Sequence, residues 1–491
     1  MKVILQRPLE PSRSWNRFSN AVFDVRLRSL AKGWHVVEAL SPSSFSAADG
    51  PLPYLHKGYF DSHLHVTWQG LMSLDVDLRQ ARSPQEVLDL VRQKALSGAP
   101  VVRAYGWDET KFGLNLETFA AGFEGKLPEN VPTVLYRACG HSALVNRLLR
   151  GMAKVRHESS FVTDRDLKEI QESVPPPTHA ESERAFEIAQ RQLLDRGVSA
   201  VGDMSLDETV CTMIRTLALE GKLLLDVQGV FDAGAAPSIE NHGPWYVENA
   251  STVGPLDRAA VLSIRHWKRF LDGSFGSRTA WLTKPYDDFE THGEQLRDTG
   301  TLIEETRQAL MEGFFISFHA IGDAALDQAL EVGERLKHLF ESRLRAAGSH
   351  PIPFTRHRLE HVQLVRDDQL ARIREQGFWA ACLQPNHRPA DARFSEIRLG
   401  RDRLFRQAYR ALGFQRFEIP LALGSDAPVD HFEPQRVLAA ASSHENEEER
   451  LSLDQALWFS TTGARLNLGM PPGRIGVGST VYLTHPEEIV L

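Results

Sequence analysis

Gly58-Tyr59-Phe60-Asp61-Ser62-His63-Leu64-His65 is the stretch on which the fold turns. A glycine opens it, β-forming aromatic residues follow, and it ends on two histidines two positions apart. On a strand, residues i and i+2 face the same side, so His63 and His65 present two imidazoles to one point. Short β-rich runs bounded by Gly, Pro or Asp recur downstream at Val198–Met204, Leu223–Val230, Leu262–Asp272, Phe314–His319, His357–His361, Phe378–Gln384 and Pro420–Asp426. With Gly58–His65 they number eight. Helical patterns at Leu302–Glu312, Ala325–Phe340, Asp367–Gln376 and Pro434–Ser443 lie between or after them. That rhythm predicts an α/β chain, a (β/α)₈ TIM barrel over residues 58–470.

Two regions fall outside the count. The gap between the first two strands is too long for one crossover and reads as an insertion at about 66–196, with β runs at Pro100–Tyr105 and Thr133–Arg137. Because it follows a barrel strand it emerges at the C-terminal face, where barrel enzymes build their sites. The termini, 1–57 and 471–491, carry short β runs at Val22–Leu27, Trp34–Glu38 and Thr480–Thr484 and are expected to pair as a small β-sandwich-like accessory domain.

Composition narrows the function. With 42% hydrophobic and 24% charged residues the 491-residue chain can bury a large core. A formal charge of -8 argues against nucleic acid or anionic lipid as general partners, leaving small molecules. Cys139, Cys211 and Cys382 are widely spaced, which fits a reducing cytoplasm and offers no thiolate zinc site. No export signal or membrane-spanning run is apparent. A monomer and a homodimer both remain open.

His319, His361 and Asp426 each close a β run and precede a turn, so all three are expected at the rim that His63 and His65 occupy. Taken singly, each is as readily a capped polar residue at a strand end. Jointly they form a nitrogen and oxygen ligand set suited to a catalytic divalent metal, zinc first, as one or two ions.

The blocks GYFDSHLH (58–65), GWDE (106–109), RACGHSALVN (137–146), KRFLDGSFGSRTAWL (268–282), HAIGDAALDQAL (319–330), RHRLEHVQLV (356–365) and ALGSDAPVD (422–430) together resemble the amidohydrolase superfamily, its YtcJ-like branch. The resemblance implies that His63 and His65 bind one metal, and that His319 and His361 serve a second or complete the first. It further implies that Lys268, on the fourth strand, can be carboxylated to bridge two ions, an ordinary salt-bridged lysine being the alternative. Asp426 would ligate, take the proton of the attacking water and pass it to the leaving nitrogen. The implied reaction is hydrolysis of a non-peptide C–N bond, amide or cyclic amide, by metal-activated water. A deaminase on the same site and a non-catalytic barrel that only binds are the alternatives.

Further candidates come from the same blocks. His141 could bond the substrate or the oxyanion, or be a histidine bonded to backbone at a helix start. Trp107 could line the pocket, or pack in a core as a strand-end tryptophan commonly does. Arg278 could pair with an acidic substrate group or with a structural carboxylate. Asp272 and Asp323 read as turn residues supporting the ligands. The sequence departs from its relatives at the end, where Gly478–Leu483 replaces a fuller terminal strand region.

Overall fold

The computed structural model describes residues 1–9, 16–31, 33–46, 49–137, 142–153, 159–232, 245–248, 260–348, 356–470, 475–477 and 479–489. Two compact units result, Met1–Val66 with Gln190–Leu491, and Thr67–Ala189.

The first unit contains the barrel. Its strands are Tyr59–Leu64, Val198–Leu206, Asp226–Asp232, Val261–Phe270, Phe315–Ala320, His357–His361, Trp379–Leu383 and Leu421–Leu423, each hydrogen-bonded in parallel to the next in chain order. First and last meet through Asp426 N donating to His63 O at 2.7 Å and His65 N donating to Ala427 O at 2.7 Å. Most of these strands are buried on both faces, as a parallel sheet covered by helices requires. An additional strand, Trp245–Glu248, pairs antiparallel with the fourth.

Where the strands end differs from expectation for identifiable reasons. The eighth stops at Leu423 rather than Asp426, because Ser425 N turns to donate to the Asp61 carboxylate at 2.9 Å and Asp426 takes a left-handed backbone, φ 59°. The expected helix Ala325–Phe340 is two helices, Asp323–Arg335 and Lys337–Gly348. The break at Leu336 turns Phe340 onto Phe378, Trp379 and His357, with ring centroids 4.7, 5.0 and 4.6 Å away.

Close strand contact depends on one glycine. A Cβ at Gly202, in the second strand, would lie 2.1 Å from Ser62 O in the first. Backbone cannot yield as a side-chain tip can, so Gly202→Ala is expected to cost about 1–3 kcal/mol, as overpacking does. Urea unfolding reads this as a lowered midpoint; an unchanged midpoint would show that the two strands can spread.

The terminal strands Lys2–Pro8, Phe18–Ala31, Trp34–Pro42, Thr480–Thr484 and Tyr54–His56 close into a five-stranded barrel in that order. Closure pairs each of the five strands with a neighbour on both sides, and Val3, Val25, Val37, Leu55 and Val481 fill it. The short strand Thr480–Thr484 is what joins the two halves, pairing with Trp34–Pro42 on one side and Tyr54–His56 on the other.

The second unit carries its own sheet, with Val76–Asp77, Val102–Trp107 and Thr133–Arg137 parallel, then Ser142–Val145 and Phe161–Thr163 antiparallel. No helix among the described residues is long and apolar enough to cross a membrane.

Candidate metal centre

At the C-terminal ends of the barrel strands five imidazoles and one carboxylate crowd together. Asp426 Oδ1 lies 3.3 Å from His63 Nε2 and 3.3 Å from His65 Nε2, while Asp426 Oδ2 lies 3.4 Å from His387 Nε2. The His361 ring is 4.5 Å from His63 and 4.4 Å from His319, centroid to centroid. His63, His65 and Asp426 offer ligand atoms within 4.8 Å of one another, and so do His361, His387 and Asp426.

Four of the histidines have one ring nitrogen fixed by an acceptor, which settles where the other points. His63 Nδ1 donates to Glu360 Oε2 at 2.7 Å, His65 Nδ1 to Met204 O at 3.2 Å, His361 Nδ1 to Gln384 Oε1 at 2.8 Å, and His319 Nε2 to Gly273 O at 3.1 Å. Each ring is thereby left with a lone pair on its other nitrogen, the arrangement expected of metal-binding imidazoles. His63 Nε2 and His319 Nδ1 are buried and have no hydrogen-bond partner. Such orphaned atoms are costly unless something completes them, and a divalent cation does. The residues present therefore fit a metal.

Three of the four rings are shifted toward the neutral form that this requires. Burial, aided by the nearby Lys268, lowers His319 to about 3 and keeps its ring neutral. Burial and the neighbouring His319 and His63 put His361 well below its ordinary value, and burial also lowers His65. His63 is shifted upward, because Asp426 and Glu360 together outweigh the burial that opposes its charge. Burial likewise opposes the charge of Asp426, yet His63, His65 and His361 hold it well below the usual carboxylate range. His65 is the most open member, its side chain 18% exposed.

Lys268 is buried on the fourth strand, with Nζ 4.5 Å from the Phe270 ring centroid. Burial lowers its pKa, against the pull of Glu360, Asp426 and Asp232.

Further polar groups hold the histidines and Asp426 in place. Beneath His63, Glu360 accepts from Ser317 Oγ at 2.7 Å and from Arg358 Nε at 2.5 Å, and Arg358 also donates to Ser62 O and to Gln228. Asp61 accepts from Ser425 N and His63 N, tying the first strand to the eighth. Asp203 accepts from Val66 N at 2.8 Å, next to His65. Asp272 accepts from Trp281 N, Ile321 N and Gly322 N, bracketing the turn after His319. Asp323 accepts from Thr283 N and Arg366, a support for that same turn. His361 and Asp426 both have left-handed backbone, φ 70° and 59°. Non-glycine residues hold that conformation at a cost, and it gathers where function demands a set orientation.

Trp107 is wholly buried in the core of the second unit, stacked on Phe119 at 4.8 Å and donating to Leu135 O at 2.7 Å. Arg278 pairs with Asp288, Nη2 to Oδ2 2.7 Å, on the loop after the fourth strand. His141 lies outside the described residues. Sequence reasoning missed His387, Glu360, Arg358 and Asp61 as members or supports of the centre. For His387 a signal existed, since Gln384-Pro385-Asn386-His387 follows the seventh strand as Gly424-Ser425-Asp426 follows the eighth.

Comparison with known proteins agrees with the fold. The chain is 27% identical over 447 residues to the Bacillus subtilis (strain 168) protein named as amidohydrolase YtcJ, covering 83% of this chain and 78% of that one. It is 28% identical over 412 residues to Protein LONG AFTER FAR-RED 3 of Arabidopsis thaliana, covering 77% and 66%. A solved structure described as an uncharacterized metal-dependent hydrolase from Pyrococcus furiosus superposes with TM-score 0.74 at 24% identity, covering 100% of both chains. One of the same description from Pyrococcus horikoshii OT3 gives 0.73 at 24%, covering 100% of this chain and 99% of that one. The model of the amidohydrolase family matches residues 58–480, all eight barrel strands included, and the chain belongs to that family.

Proposed function

We propose that this protein is a metal-dependent hydrolase that cleaves a C–N bond other than a peptide bond, in an amide or cyclic amide. The observation that carries the reading is the convergence of His63, His65 and His361 on Asp426, with His319 packed against His361 and one ring nitrogen of each of the four held by an acceptor. These residues would hold one or two divalent ions, zinc being the first candidate because neutral imidazoles and a carboxylate suit it. Burial favours the neutral amine that capture of CO₂ by Lys268 requires, so a carboxylated Lys268 would add a bridging ligand.

When bound, the metal supplies Lewis acidity, which acidifies water and polarises a carbonyl oxygen. The chain's own residues do the rest. Asp426, held ionised by its histidine neighbours, takes the proton of the attacking water and returns it to the leaving nitrogen. Glu360 and Arg358 keep His63 in the tautomer and orientation it needs. Gln384 does so for His361.

Metal analysis combined with a panel of N-acyl, N-formyl and cyclic amide compounds tests the proposal. Turnover of a panel member, abolished by chelation and restored by zinc, is the expected result. Ammonia released from an aminated ring would point to deamination, and a metal-free protein inert to all of them to a binding role. Chelator-stripped protein should also melt at a lower temperature than zinc-loaded protein, because a ligand that binds only the folded state stabilises it. Equal melting temperatures would argue against a tightly held metal.

A further inference from the structure

The fifth imidazole differs from the other four in polarity. His387 is the first residue of the helix His387–Leu399 that follows the seventh strand, and it is more than nine-tenths buried. Its Nδ1 lies 2.8 Å from Gln363 Nε2, an amide nitrogen that can only donate. A neutral ring that accepts at Nδ1 must carry its proton on Nε2. That Nε2 points into the centre, 3.4 Å from Asp426 Oδ2, is buried, and makes no hydrogen bond. The His387 ring lies nearly parallel to that of His361, 6.1 Å away with 16° between planes. His361 donates outward to Gln384 and turns a lone pair inward; His387 accepts from outside and turns a proton inward.

We propose that His387 is not a metal ligand but a hydrogen-bond donor that binds the substrate's carbonyl oxygen and stabilises the negative charge developing there. An N–H pointing inward cannot ligate a cation. Nor can it receive the proton that Asp426 takes from water, because Nε2 is already protonated and Nδ1 is occupied by Gln363. That proton is left with the leaving nitrogen as its destination, and the His387 donor is left for an oxygen. Asp426 separates the two functions, with Oδ1 toward His63 and His65 and Oδ2 toward His387. Donors fixed at the place where oxyanion charge appears contribute strongly to acyl-transfer catalysis, since they need no reorganisation during the reaction. Gln363 is the positioning residue, because it selects the tautomer.

The carbonyl half of the inference rests on the hydrolase reading; the tautomer half does not. The test compares full-length wild type, His387→Ala, His361→Ala and Gln363→Glu, each stripped by chelator and reloaded with zinc. His387→Ala is expected to keep the wild-type zinc content and lose about 10²–10³-fold in kcat, the usual effect of removing one oxyanion donor, while His361→Ala loses zinc. Loss of zinc from His387→Ala to the same degree as from His361→Ala would overturn the proposal, as would unchanged kcat. Should wild type turn over nothing in the amide panel, acetohydroxamate affinity of the zinc-loaded proteins replaces kcat. About tenfold weaker binding by His387→Ala is then expected, the worth of one hydrogen bond, and equal binding overturns the proposal. Gln363→Glu supplies an acceptor at Nδ1 and reverses the ring, so it should hold zinc at least as well as wild type with kcat, or hydroxamate affinity, reduced. If His387→Ala does not fold, Gln363→Glu decides, and wild-type behaviour from it contradicts the assignment. A wild-type chain that holds no zinc fails the hydrolase reading itself and takes the carbonyl half of this inference with it.

Discussion

Replacing Asp426 with asparagine will leave the protein folded and cut turnover by about 10²–10⁴-fold, the range associated with a positioned acid or base. Asparagine is the informative choice. Residue 426 has φ 59°, a left-handed backbone that asparagine tolerates better than other non-glycine residues. The substitution therefore removes the charge and basicity without forcing the chain to refit, and the backbone bond from residue 426 N to His63 O survives. Thermal melting of the chelator-stripped protein should move little, while kcat of the zinc-loaded protein collapses on whichever panel compound wild type accepts. A variant retaining more than about a tenth of wild-type kcat would mean that another group moves the proton, since a positioned base is ordinarily worth more than that.

The largest expected effect on stability belongs to Arg358→Met. Arg358 and Glu360 are completely buried and paired, Nε to Oε1 2.5 Å. Burial alone would push Glu360 up, but Arg358 and His63 hold it well below the ordinary carboxylate value of 4.5. Removing the guanidinium strands that charge and leaves Ser62 O and Gln228 without their donor. Breaking a buried pair from one side costs about 3–5 kcal/mol, read as a loss of unfolding free energy in urea at pH 7. A loss below about 1 kcal/mol, the scale of an exposed pair, would show that Glu360 finds a proton or another partner. The pH dependence has a definite sign. Because the folded value of Glu360 is depressed, its stabilising share is fully present above the unfolded carboxylate value and is lost as pH falls below it toward the folded one. Wild type should therefore lose this contribution only in acid, and the variant should show a shallower acid limb.

Much of the barrel is written in the sequence because its strands are buried on both faces and read as near-continuous apolar runs between turn residues. His357–His361 and Thr133–Arg137 are found with the bounds expected of them. Strand ends are less legible, because partners distant in the chain decide them. Nothing local to Gly424-Ser425-Asp426 reveals that Asp61 will draw Ser425 N out of the strand. Members of the centre at strand ends, such as His319 and His361, stand where a periodicity stops and are easily seen. His387 stands three residues past Gln384, beyond a proline, where strand period says nothing about direction. Glu360 was visible as a residue but not as the partner of His63, since the contact bridges the first and sixth strands. Trp107 illustrates the converse, its indole filling the core of the second unit beside Phe119 and Phe123.

The most direct test of the central claim is an anomalous-scattering map, at the zinc edge, of a crystal of zinc-reloaded protein. The account predicts a peak among His63 Nε2, His65 Nε2, His361 and Asp426, at the roughly 2.0–2.2 Å typical of zinc to nitrogen and oxygen. Zinc bound elsewhere, with these side chains left bonded only to one another, would contradict it.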